Sequence, residues 1–178
     1  MGKRPRKTNE LIGEVIVDEI AYVQNKSSRN ARKILDRSEH IEIEIWCDQH
    51  YYNRAQLGDE NGKREGIDQD NIKDLVIKSI QHLFYYSFKV KSFSFINFIQ
   101  GSRNIRIVLQ EPKENGTLNI VAEFHHLEKN KYQVTVITAM QVDNFTISLG
   151  QYALEIDGDS SILRKFDGRN IIDVDIFN

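Results

Sequence analysis

Cysteine is almost missing from this chain: Cys47 is the only one in 178 residues. That excludes an internal disulfide and any zinc cage built on thiolates, and it fits a reducing compartment. Long apolar runs are missing as well. No stretch reaches the roughly 18 to 20 apolar residues that span a bilayer, and the basic start lacks the apolar segment of a secretory signal. The expectation is a cytoplasmic protein with no membrane partner. There is no Gly-x-x-x-x-Gly-Lys phosphate loop, no Gly-x-Ser-x-Gly nucleophile turn and no His-Glu-x-x-His zinc helix. A strong charge of one sign is also absent. The net charge of −2 excludes a globally basic nucleic-acid binder, although Lys3, Arg4, Arg6 and Lys7 open the chain while Asp157, Asp159, Asp167, Asp173 and Asp175 cluster near its end. A local basic surface stays open.

What is present is ordinary for one compact domain: 40% hydrophobic and 28% charged residues. Residues 1–8 are expected to form a flexible basic arm, either solvated or touching nucleic-acid phosphates, and 9–178 a single α+β domain with a C-terminal hairpin-like extension. Over 9–22, Ile12, Val15, Ile16 and Ile20 follow three- and four-residue spacing, which predicts a helix. A breaker at 25–30 and a short helix using Ala31, Ile34 and Leu35 come next. Ile41, Ile43, Ile45 and Cys47 alternate with Glu42, Glu44, Trp46 and Asp48, the period of a strand with its glutamates on a wetted face.

The strongest helical signal runs over 67–85. Ile72, Leu75, Val76, Ile80, Leu83 and Phe84 make one stripe, Asp68 or Asp70 caps the amino end, and Lys73 and Lys78 face away. From Phe88 onward, alternating apolar positions in successive segments, separated by turn-like residues at 101–104, 114–116 and 129–130, predict an antiparallel meander. The fold class expected is α+β: N-terminal helices and one long amphipathic helix packed on an antiparallel meander of about five strands. Two Asp-Gly steps near the end predict a terminal hairpin. Asp157-x-Asp159-x-Ser161 lacks the closing glutamate of a calcium loop, and the adjacent His125 and His126 point to opposite faces of a strand, so no metal or cofactor is expected.

Two places gather chemistry. At 48–67, His50, Tyr51, Tyr52, Arg54, Lys63 and Arg64 lie between a strand and the amino end of the long helix, a place suited to an anion. On the meander, pairing Phe124 with Val134 and Ile107 with Ala122 puts Arg106 across from Glu123, with His125 close by on the non-core face. Strand cleavage of RNA without metal needs a base for the ribose 2′-hydroxyl, cations for the phosphate and an acid for the departing 5′-oxygen. His50 and His125 supply acid and base, Arg54 and Arg106 the cations, and tyrosines a stacking surface for bases. The same residues also fit packed histidines, a cross-strand ion pair and tyrosines that close the edge of a core.

The run His50-x-x-x-Arg54, then Arg64-x-Gly66-Ile67-Asp68 and an amphipathic helix, then Arg106-Ile107-Val108, Leu118-Asn119-Ile120-Val121 and Thr135-Val136-Ile137-Thr138, resembles the barnase, colicin and RelE-type group of small ribonucleases. The likeness covers roughly residues 50–140. It implies a toxin-like domain that cleaves RNA without metal, often within a phage or mobile element, with a protein inhibitor or assembly partner. Carried over, His50 and Arg54 match the helical pair, Arg106 a strand cation and Thr138 a strand-end hydroxyl. The insertion at 56–63 and the extra residues at both ends depart from the compact pattern. A non-enzymatic protein-binding or structural protein is the alternative, and RNA binding without cleavage a third.

Overall fold

The computed structural model describes residues 22–37, 41–49, 51–53, 67–98, 104–128 and 130–178. The helix expected over 9–22 lies outside these residues apart from its last position, and so does the basic arm. Among the described residues the fold is mostly β, which corrects the expected helical region and five-strand meander. Nine strands form one mixed sheet: β1 (Ala31–Arg37), β2 (Glu42–Asp48), β3 (Ile96–Asn97), β4 (Ile107–Glu111), β5 (Leu118–Glu128), β6 (Lys131–Gln141), β7 (Tyr152–Asp157), β8 (Ser160–Phe166) and β9 (Ile171–Phe177). Their order across the sheet is β1-β2-β6-β5-β4-β7-β8-β9, with β3 beside β5.

The sheet contains two three-stranded antiparallel meanders, one at its centre and one, β7-β8-β9, at its end. β4, β5 and β6 pair antiparallel in sequence order, and the β5–β6 turn is closed by Asn130 at φ 59, a left-handed conformation that asparagine tolerates better than most residues. The outer strands join through parallel seams: β2 lies along β6 and β7 along β4. Two-residue alternation is identical for parallel and antiparallel neighbours, so it is silent about such seams. The expected short helix at Ala31, Ile34 and Leu35 is instead β1, paired with β2, and its register shifts between Lys33 and Leu35. That bulge breaks the two-residue period and leaves a spacing that imitates a helix.

One helix, α1 (Gln69–Lys89), covers a face of the sheet. Asp68 caps it by accepting from the Asp70 amide at 3.1 Å. Ile72, Leu75, Val76, Ile80 and Leu83 are buried against Ile45, Leu109, Ile120, Val136 and Leu154 of the strands. Lys73, expected to face away, is buried, with its ammonium on Asp70. No described helix is long and apolar enough to cross a membrane.

The opposite face divides in two. Over β4, β5 and β7 it is apolar: Val108, Val121 and Ala153 share a small core with Ile147 from the β6–β7 connection. Over β2, β6 and β5 it is polar yet closed. Glu44 and Trp46, read from sequence as a wetted face, are only 8% and 2% exposed, because β2 is an interior strand covered on both sides.

Candidate functional site

Alternation along the interior strands builds the site. Ile43, Ile45, Cys47, Val134, Val136, Ala122 and Phe124 turn toward α1, so the residues between them turn away. Cross-strand pairing then aligns these residues in two adjoining rungs. One carries Lys33, Trp46, Thr135 and Glu123 across β1, β2, β6 and β5. The other carries Glu44, Gln133, His125 and Asn97 across β2, β6, β5 and β3.

Glu123 is wholly buried. One carboxylate oxygen accepts from Arg106 Nε at 2.8 Å and the other from Asn104 Nδ2 at 2.8 Å. Arg106 keeps about half of its side chain in solvent, 52%, so the pair joins the interior to the surface. His125, two residues on, is 3% exposed and has Nδ1 3.2 Å from Ser27 Oγ. Burial lowers its pKa, the Glu123 carboxylate raises it and Lys26 lowers it again, with a net fall. The imidazole is therefore neutral near pH 7, able to give a proton from one nitrogen and take one at the other.

The rest of the layer is held by further polar contacts. Glu44 receives Lys33 at 2.8 Å, Lys131 at 3.1 Å and the Trp46 indole at 3.2 Å. Burial pushes its carboxyl up, and the two lysines more than offset this, leaving it below the usual range. Asn97 fills the gap where the chain leaves the β5 edge: its amide donates to the Ile105 and Phe124 carbonyls at 3.1 and 3.0 Å and accepts from the Ile105 amide at 2.7 Å. Gln133 Nε2 is buried with no hydrogen-bond partner, an amide donor left unused between Glu44 and His125.

Residues 24–30, Gln-Asn-Lys-Ser-Ser-Arg-Asn, lie over this layer. Asn25 Nδ2 donates to Thr135 Oγ1 at 2.7 Å, Ser27 meets His125, Lys26 Nζ donates to the His126 carbonyl at 2.9 Å, and Ser28 Oγ donates to Asp48. The Asn25 side chain also accepts from the Ser27 and Ser28 amides, which fixes a tight turn.

Of the residues singled out from sequence, Arg106 and His125 meet around Glu123. His50, Arg54, Lys63 and Arg64 lie outside the described residues. Tyr51 is in the main core, 5% exposed, with its hydroxyl on the Ile67 carbonyl at 2.7 Å. Tyr52 packs edge-on against Tyr22 and accepts from Gln69. The tyrosine pair is thus committed to packing around β1 and the start of α1, away from the rungs; a ring buried like that of Tyr51 has no free face for a base. Thr138 sits opposite Val121, beyond the register shift that displaces β6 against β5. Two-residue alternation along β6 puts Gln133 and Thr135 on this face, but nothing in the sequence signals that Glu44, Trp46 and the polar segment at 24–30 join them. His126, on the helix side, packs edge-on against Tyr132, and no group of three or more His, Cys, Asp or Glu among the described residues is arranged to hold a metal.

A second buried polar group lies on the helix side. Ser161 Oγ is 2.9 Å from His82 Nδ1, and the Tyr86 hydroxyl donates to the Ser161 carbonyl at 2.8 Å. Burial lowers the His82 pKa and Asp159 partly restores it. Comparison with protein-family models, with curated proteins and with solved structures gives no significant match.

Proposed function

We propose that the polar face of the sheet cleaves RNA phosphodiesters without a metal, as a toxin-like ribonuclease would. The observation that carries this reading is the junction of Arg106, Glu123 and His125: a half-exposed guanidinium, a buried carboxylate and a neutral imidazole on neighbouring rungs. Arg106 holds the scissile phosphate, and Glu123 and His125 divide the base and acid roles. The base takes the proton of the ribose 2′-hydroxyl as that oxygen bonds to phosphorus. The bond from phosphorus to the 5′-oxygen breaks, and the acid protonates the leaving oxygen. The products are a 2′,3′-cyclic phosphate and a free 5′-hydroxyl. His50 and Arg54 remain the acid/base and phosphate groups that the resemblance implies.

The test is incubation of pure protein with end-labelled RNA in chelator. The expected result is cyclic-phosphate termini, with the rate falling by about 100-fold or more in Glu123→Gln and His125→Asn. No cleavage, or cleavage indifferent to both substitutions, overturns the reading.

A second reading, a non-enzymatic docking domain, is favoured by β9. Among the described residues it ends the strand order, and it leaves Ile171, Ile172 and Ile176 51%, 44% and 49% exposed, an edge suited to strand addition by a protein partner. Light scattering that shows a stable assembly, abolished by Ile172→Lys with Ile176→Lys and without RNA cleavage, would replace the ribonuclease reading with this one.

A further inference from the structure

The proposed acid/base pair is shut in, and what shuts it in differs in kind from the rest of the interior. On the α1 face the sheet is sealed by apolar side chains. On the polar face, residues 24–30 contribute no apolar side chain at all. Among the described residues, their side chains attach through hydrogen bonds to Thr135, His125, the His126 carbonyl and Asp48. Bonds of that kind are exchanged for water at little net loss, and the segment itself has no apolar side chain to bring into water when it lifts. Both ends are anchored by backbone pairing, Val23 with Ala31 at one and the Gln49 amide on the Asn30 carbonyl at the other, so the segment can move without releasing β1 or β2.

The groups it occupies are those a ribose-phosphate needs. Asn25 satisfies the Thr135 hydroxyl and Ser27 the imidazole of His125, while the Gln133 amide beside them is left unpaired. Lys26 and Arg29 make the segment itself cationic, so a polyanion drawn to the rim at Arg106 is also drawn to the cover.

Resting on the ribonuclease reading, we propose that residues 24–30 are a polar strap that holds the site closed and lifts to admit the RNA backbone, which takes over the bonds made by Asn25 and Ser27. The strap is open in a minor population of the free protein, and RNA binding selects that population.

Strap opening is measured apart from activity. Diethyl pyrocarbonate modifies accessible neutral imidazoles, and peptide mass spectrometry reads His125 and His82 separately in one sample. In Asn25→Ala/Ser27→Ala, the rate at His125 is expected to rise at least about tenfold, the effect of losing two hydrogen bonds, while His82 stays at its wild-type rate. In the wild-type protein the Ser27 and Ser28 amides are expected to exchange with deuterium far faster than those of β5, through local opening. An unchanged His125 rate, or Ser27 and Ser28 amides as slow as β5, overturns the strap. A faster His125 with no RNA cleavage in either protein keeps the strap and removes RNA cleavage as its purpose, so the two ideas fail separately.

Discussion

Arg106 and Glu123 face each other across the β4–β5 pair in unequal surroundings: the carboxylate has no solvent exposure, whereas the guanidinium that meets it at 2.8 Å is half in water. Removing either member therefore has a different cost. Arg106→Ala leaves a charged carboxylate inside the sheet with Asn104 as its described partner, and is expected to cost about 2 kcal/mol, below the value for a wholly buried pair because Arg106 is already screened by solvent. Glu123→Gln keeps the shape and an acceptor oxygen and leaves Arg106 free to hydrate, at about 1 kcal/mol. Urea unfolding measures both, and equal costs would deny the asymmetry.

Acid should weaken the fold through its buried histidines. His82 is buried against Ser161 and Phe177, and burial depresses its pKa from the ordinary 6.5; His125 is depressed for the same reason. The unfolded chain then binds these protons more readily than the folded one. Stability is whole above about pH 6.5 and is lost as pH falls through and below that value. Denaturation midpoints between pH 7.5 and about pH 5 should fall, and His82→Gln should flatten the slope. A midpoint that rises toward acid would contradict the burial of both rings.

Asn97 stands in for a missing piece of strand, since its side chain serves both backbone groups of Ile105 and the carbonyl of Phe124. Asn97→Ala strands those groups at a cost of about 2 kcal/mol. Asn97→Asp is expected to be worse, about 3 kcal/mol, because it aims acceptor oxygens at two carbonyls. Thermal unfolding ranks the variants, and an aspartate milder than alanine would sink this account.

Cys47 offers a probe of opening. It lies in the main core with no exposure, and burial pushes its thiol up to about 12 despite Tyr52 and Arg32, which pull it down. Labelling by a disulfide reagent at pH 8 should proceed only at the rate at which the region around β2 opens, and should accelerate with urea. Rapid labelling in buffer alone would show that the core at β2 is loose.

How much of this was legible beforehand depended on how local each pairing is. The partners Ile107–Ala122 and Phe124–Val134 follow from alternation and short turns, and both occur; with them came the meeting of Arg106, Glu123 and His125. The stripe of α1 was equally plain, and its cap was narrowed to Asp68 or Asp70, of which Asp68 serves. The parallel neighbours were not, because nothing local in β2 names a partner as distant as β6. β1 was hidden by its bulge. The strap was hidden by composition: Asn, Lys and Ser in a row read as a chain break, and only the structure sets them against Thr135 and His125. His50 and Arg54, on which the family resemblance leans most, fall outside the described residues.

The parallel seams of β2 on β6 and of β7 on β4 also set an order of assembly. As the nascent chain emerges, β2 is complete long before Lys131 appears, so its inner margin must wait, while β4, β5 and β6 zip together from neighbouring sequence. The finished sheet is then three planks, β1–β2, β4–β6 and β7–β9, glued edge to edge, and the joints are where it should first come apart under force. Asn25 and Ser27 reach from the first plank across the joint to the second; the strap over the pair is at the same time a clasp on the seam.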